Sequence, residues 1–362
     1  MPDEKQQTKI ATIHPKLQDI QRIRRNETTD IVERLGFITP RQIKIRELGG
    51  LNPMTAFNPS IVVDKDKLFL YARIVVGYFT YTSAVVEISM DVDEVISGDF
   101  RTKSLDASLS VIPSNFYDLW GVEDPRTYIV NGKLYMTYTG RTKLFFTSLS
   151  EKTVPVTAVG QRCGERICWK KEEAHFLPKV FRKNVVMNKD AFYGAVRDKV
   201  FYFHRPELLG GEYYVLAGII GSSVRGHDGI REVEVVNNVA LFEASGFEKK
   251  IGWSTPPIEV DSKYIVLLHC VDEKSEAYKV FAAELEIDGK SIDVSAVTPT
   301  YIMKPREPYE LFGDRPFTVF PCGFWRIDDE IIISYGAGDF LVGLGLLKVD
   351  ELLSLLDKGR LE

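Results

Sequence analysis

From about residue 56 onward, hydrophobic and polar positions alternate in short runs with the two-residue period of half-buried β-strands. The runs come in pairs. Thr127-Tyr128-Ile129-Val130 and Lys133-Leu134-Tyr135-Met136-Thr137-Tyr138 flank Asn131-Gly132, the dipeptide that best supports a tight hairpin turn. Asn58-Pro59 through Arg73 repeats this layout as strand, polar turn and strand, and so do Lys189-Asp190-Ala191 through His204, Pro256-Pro257 through His269, and Phe320-Pro321 through Tyr335.

The pairs are regularly spaced. Equivalent positions at 59, 125, 191, 256 and 321 are 66, 66, 65 and 65 residues apart, with further β-rich runs such as Ala84–Ser89 and Tyr278–Leu285 between them. A fixed period of several strands predicts a propeller rather than a helical solenoid. The expected fold is therefore an all-β, five-bladed β-propeller over residues 51–362. Residues 1–50 break the pattern, because Ile20–Arg25 and Ile31–Leu35 are charged with apolar positions at helical spacing. They predict a partly helical arm outside the blades, with a second helix starting at Thr29-Asp30 and a surface for a homo-oligomer. The alternative is a solvated helix with a basic face.

In a propeller the start of each repeat faces the central channel. Asn58, Glu123-Asp124, Lys189-Asp190, Thr255-Pro256 and Phe320-Pro321 should converge there, beside Arg73, Arg141, His204-Arg205, His269 and Gly336–Asp339. Glu123-Asp124-Pro125-Arg126 is the densest cluster. Read alone, it is a turn cap with an ion pair between Arg126 and Glu123. Proline also pushes the residue before it, Asp124, toward extended backbone, which would hold a reactive carboxylate stiffly.

Composition narrows the partners. A net charge of -5 and 27% charged residues argue against a nucleic-acid backbone as ligand. No apolar run approaches the roughly 20 residues that span a bilayer, and Met1–Gln7 is polar, unlike a signal peptide. These features predict a cytoplasmic protein. Four cysteines, at 163, 168, 270 and 322, lack metal-site spacing and are expected as free buried thiols. No metal or organic cofactor is implied.

Four motifs, taken in order, resemble glycoside hydrolase family 130: Glu123-Asp124-Pro125-Arg126, Lys189-Asp190-Ala191, His204-Arg205-Pro206 and Tyr335-Gly336-Ala337-Gly338-Asp339. The resemblance covers residues 56–350. It implies β-mannoside phosphorylases, with some β-1,2-mannosidases, on a five-bladed propeller. It implies further that Asp124 is the general acid, its proton passing through the sugar's own 3-hydroxyl. Asn58, Arg73 and Asp339 would hold the mannosyl unit, and Lys189 and His204 the phosphate. Glu123, Arg126, Asp190 and His269 complete the candidate substrate contacts.

The chain departs from the family's pattern at the phosphate arginine. Residues 141–148, Arg-Thr-Lys-Leu-Phe-Phe-Thr-Ser, read as a distinct strand, and Arg162 and Arg166 both qualify without aligning. Gly338 stands where the family commonly has alanine, a change expected to be neutral.

Nucleophile chemistry separates two enzyme readings. An inverting hydrolase needs a second carboxylate to activate water, a role open to Asp190. A phosphorylase needs no base but needs fixed cations for its anionic nucleophile. The sequence favours inverting phosphorolysis of β-1,2- or β-1,4-linked manno-oligosaccharides to α-mannose 1-phosphate, with inorganic phosphate as co-substrate. An inverting β-1,2-mannosidase and a non-catalytic sugar-binding propeller are the alternatives.

Overall fold

The computed structural model describes residues 9–78, 80–143, 152–289 and 291–362. The strand expected over 141–148 lies, from residue 144 on, outside the described residues. The chain is predominantly β, and the five sequence pairs are five antiparallel hairpins: Thr55–Asp64 with Lys67–Val75, Val122–Val130 with Lys133–Arg141, Val185–Val196 with Lys199–Leu208, Ile258–Val260 with Lys263–Asp272, and Val319–Ile327 with Glu330–Ala337. Each turn contains a residue with left-handed backbone: Lys65, Asn131, Arg197, Asp261 and Asp328, respectively. Asn131-Gly132, with φ of 50° and 71°, carries the residue pair that most strongly announces such a turn. Asp261 and Asp328 are turn-tolerant types, whereas Lys65 and Arg197 give no such signal.

The first strands of the hairpins lie beside one another. Thr55–Asp64 packs against both Val122–Val130 and Val319–Ile327; Val122–Val130 also packs against Val185–Val196, and Ile258–Val260 against Val319–Ile327. The cores fill the gaps between neighbouring hairpins. Trp253 meets Phe192, Phe203 and Phe242 edge-on, and its indole Nε1 donates to the Leu216 carbonyl at 3.1 Å. Burying such a ring therefore strands no polar atom.

The expected arm is corrected. Leu17–Ile23 is a helix, but the second helix is the strand Glu33–Ile38. It pairs antiparallel with Leu341–Lys348 and completes the sheet of the fifth hairpin. Thr12–Ile13 runs parallel to Val239–Ala240, and Ile43–Ile45 parallel to Leu105–Ala107. Two of the charges that suggested a solvated face form buried ion pairs into the body, while Arg22, Arg25 and Glu33 are exposed. Arg24 Nη2 donates to Glu248 Oε1 at 2.6 Å, and Arg34 Nε to Glu310 Oε1 at 2.8 Å. An open strand edge at 341–348 outweighs weak local helix propensity.

The cysteine expectation is corrected in part. Cys163 and Cys168 form a disulfide across the tip of the hairpin Thr153–Cys163/Arg166–Phe176, whereas Cys270 and Cys322 are buried thiols. No helix among the described residues is long and apolar enough to cross a membrane.

Candidate active site

The first three hairpins share a defect at the same place. Between Phe57 and Ser60, Glu123 and Arg126, and Lys189 and Phe192, the first strand carries one residue more than its partner. The three β-bulges hold Asn58, Asp124 and Asp190 at φ of 47°, 49° and 53°. The extended backbone expected for Asp124 from Pro125 is thus overruled. Asn and Asp tolerate left-handed backbone better than other side chains, and such strain, of order 1–3 kcal/mol per residue, collects at functional sites. A bulge also re-aims its side chain. Here three are aimed at one another.

Asn58 Nδ2 donates to Asp124 Oδ1 at 2.8 Å, and Arg73 Nη1 to the same oxygen at 3.0 Å. Arg73 Nη2 reaches Glu123 Oε1 at 2.9 Å, and Arg141 Nη1 lies 3.6 Å from that oxygen. Arg126 does not pair with Glu123 on a surface. It is buried, donating to its own loop at Asp124 O (2.8 Å), to Ser254 O (3.1 Å) and to Asp190 Oδ1 (3.4 Å). Arg205 Nε donates to Asp190 Oδ2 at 2.6 Å, and His269 Nε2 lies 3.8 Å from it. Asn58, Arg73, Glu123, Asp124, Arg126, Asp190 and His269 therefore form one connected cluster. Among the described residues, Asn58 Oδ1, Arg73 Nε and Arg205 Nη1 are buried without a hydrogen-bond partner.

Electrostatics divide the acids. Burial alone would raise the Asp124 pKa, but the charges of Arg73 and Arg126 and the bonds from Asn58 and Arg73 outweigh it and hold it below the ordinary value. Asp190 goes the same way further, since Arg205, His269, Arg126 and Lys189 overcome its burial. Asp339 moves oppositely: burial and the nearby Asp124 charge push it up to about 6, against the pull of Arg73, Arg315 and Lys189. Burial, offset by Asp190, lowers His269 to about 3, so it is a neutral ring whose Nδ1 meets Ser254 Oγ at 3.1 Å.

The Gly336-Ala337-Gly338-Asp339 turn is steric as well as polar. A Cβ at Gly336 would overlap Asn58 Oδ1, and one at Gly338, with φ of 61°, would overlap Phe312 O. Glycine at 338 is therefore required here and is not the neutral change that the family pattern suggested.

Three expected phosphate residues are placed elsewhere. His204 is fully buried on the opposite face of its strand from Arg205, between Asn188 Oδ1 (3.2 Å) and Asn238 Oδ1 (3.0 Å). Burial lowers its pKa to about 4, so it offers no cation. Arg162 sits at a hairpin tip, paired with exposed Asp64. Arg166 pairs with Glu47 and Glu87 and donates to Leu109 O at 2.9 Å. Both lie at the end of the strands far from Asp124, because Gly160 pairs with Leu134 while Thr153 pairs with Arg141.

Lys189 remains at the cluster. Its charge acts on Asp190, Asp339 and His269, and among the described residues it has no salt-bridge partner. Its ladder partner is Arg205, which the motif reading passed over for its neighbour. The ring of Phe320, one of the residues expected to converge here, lies 4.5 Å from that of His269, and that of Tyr278, which was not anticipated, lies 5.8 Å from it.

The family profile described as beta-1,4-mannooligosaccharide phosphorylase matches residues 22–358. A β-1,2-mannobiose phosphorylase from Thermoanaerobacter sp. (strain X514) is 26% identical over 250 residues, spanning 65% of this chain and 69% of the relative. The structure of β-1,2-mannobiose phosphorylase from Listeria innocua in complex with β-1,2-mannobiose is similar, with a TM-score of 0.63 at 18% identity over 84% of this chain and 93% of that one. A structure described under GH130 glycoside hydrolases that target β-1,2 mannosidic linkages in Candida mannan has a TM-score of 0.57, also at 18% identity, over 82% of this chain and 85% of that one.

Proposed function

The chain belongs to glycoside hydrolase family 130, and from that premise we propose that it is an inverting β-mannoside phosphorylase acting on β-1,2-linked manno-oligosaccharides. The observation that carries this reading is the state of Asp190. Both its oxygens face cations, Arg205 at 2.6 Å and Arg126 at 3.4 Å, and its side chain is 2% exposed. A carboxylate so engaged cannot take a proton from water, whereas the residues around it suit an anion. Lys189 and Arg205 are the fixed cations, with Arg205 replacing the arginine sought at 162 or 166. The β-1,2 linkage is taken from the Thermoanaerobacter relative. The five hairpins with their side-by-side first strands fit the blades of a five-bladed propeller, which puts the bulges around its channel.

Asp124 is the general acid in this reading. Arg73 and Asn58 hold it ionised; sugar hydroxyls that draw these two donors away remove two causes of its lowered pKa and ready it to carry a proton. Asp339, Asn58 and Arg73 hold the mannosyl unit. Phosphate then attacks the anomeric carbon from the opposite face, and the glycosidic oxygen leaves with the proton of Asp124, relayed by the 3-hydroxyl.

A second reading rests on Asp339, which at a pKa of about 6 meets the requirement for a water-activating base. One experiment separates the two: incubation with β-1,2- and β-1,4-mannobiose, with and without inorganic phosphate. Phosphorolysis yields mannose 1-phosphate only with phosphate. Lys189→Ala should raise the KM for phosphate by about ten- to a hundredfold, the value of one charged hydrogen bond, and change the KM for sugar far less. Free mannose released without phosphate, at a rate indifferent to Lys189→Ala, would establish the hydrolase.

A further inference from the structure

The turn ends of the hairpins, away from the carboxylate cluster, enclose two adjoining cavities. One of about 570 Å³ and one of about 360 Å³ both touch Lys133, Tyr135, Val159 and Glu172, so they form one groove. Asp64, on its wall, lies six residues beyond Asn58 on the same strand. At about 3.3 Å per residue the groove is roughly 20 Å from the bulges, too far for one disaccharide to reach both.

The lining has a specific chemistry. Its charges balance, with Lys133, Arg162 and Arg231 against Asp64, Glu172 and Glu173. Arg162 pairs with Asp64, and Arg231 with Glu173. A neutral lining of this kind does not select a polyanion. Tyr135 borders both cavities, its ring 5.8 Å from that of Tyr128 and 6.0 Å from that of Tyr193. Among the described residues the side chains of Lys133 and Gln161 make no hydrogen bond. The disulfide between Cys163 and Cys168 ties the hairpin tip that carries Gln161 and Arg162. An aromatic platform beside the unengaged side chains of Lys133 and Gln161, and beside Glu172, which accepts from Lys170 through one oxygen, suits a ligand with apolar ring faces and many hydroxyls.

We propose that this groove is a second glycan-binding site, in which Tyr135 stacks on a neutral oligosaccharide and Lys133, Gln161 and Glu172 bond its hydroxyls. It goes beyond the reading of the carboxylate cluster, and only the choice of mannan as probe rests on that reading. The site would hold a longer chain, or a neighbouring one, while chemistry proceeds at the other end of the hairpins.

The test is titration calorimetry of the Asp124→Asn protein with β-1,2-mannotetraose. Two equivalents should bind, and adding Tyr135→Ala should remove one or weaken it by about two- to tenfold, the scale of one aromatic contact. In the otherwise wild-type enzyme Tyr135→Ala should leave mannobiose turnover unchanged and raise the KM for long oligomannan. If Tyr135→Ala does not fold, the exposed pair Lys133→Ala and Gln161→Ala replaces it. One equivalent in the parent protein, or two that none of these variants alters, overturns the proposal. So does a concentration-dependent dimer abolished by Tyr135→Ala, which would give the groove to a second copy. Loss of catalysis on every mannoside would instead overturn the phosphorylase reading, and the stoichiometry would still report on the groove.

Discussion

Asp124 and Asp339 share one electrostatic field and titrate in opposite directions. Asp124 is the group whose loss should cost chemistry alone. Asp124→Asn keeps an oxygen for Arg73 and Asn58, so a thermal melt should stay close to wild type while kcat falls by about 10²–10⁴-fold, the usual share of general acid catalysis. Turnover at the wild-type rate would remove Asp124 from the role. Asp339 makes a statement about stability. Its folded pKa of about 6 lies above its ordinary 3.8, so between those values the folded chain binds more protons than the unfolded one. Its contribution to stability therefore falls as pH rises from about 4 to 6 and stays lost above that window. Asp339→Asn, neutral throughout, should melt with the parent at pH 4 and above it at pH 7.5, while sugar binding weakens. The same shift at both pH values would show that Asp339 carries no raised pKa.

At the scale of the hairpin, the sequence disclosed spacing better than direction. The period of 66 residues located Asn58, Asp124 and Asp190 as equivalents, and each sits on an equivalent bulge. The bulges themselves were not legible, because an extra residue leaves no compositional mark and Pro125 argued for extended backbone instead. Register was equally hidden. With Lys189 facing the cluster, the ladder makes Arg205 its partner and turns His204 inward; the motif names both and cannot say which faces in. Arg162 and Arg166 failed for a related reason. They are basic and near in sequence to the second hairpin, but Gly164 lies between the two strands that carry them, so both sit at a tip. Arg126 was legible as a charged neighbour of Asp124 but not as a buried one, since its partners Ser254 and Asp190 lie more than 60 residues away in the chain.

For the molecule as a whole, the deciding segment is the one that looked least like the rest. Residues 9–50 place a strand in three different sheets, and two of their arginines, Arg24 and Arg34, end in buried acids of the body. Arg34 is 4% exposed and Glu310 0%. Removing one partner of such a pair strands the other charge away from water, at a cost of about 3–5 kcal/mol, a large part of the 5–15 kcal/mol by which folded domains are usually stable. Arg34→Ala should therefore lower the melting temperature sharply without changing the KM for sugar or phosphate, since it touches neither group of site residues. Deleting residues 1–50 removes both pairs together and bares the edge of Leu341–Lys348, which begins two residues after Asp339. The shortened chain should not give a monomeric, cooperatively melting protein, as size-exclusion chromatography and calorimetry would read. A folded 51–362 fragment with parental turnover would mean that the segment is the detachable arm that its charge pattern suggests. Strand pairing, rather than that pattern, sets the outcome expected here.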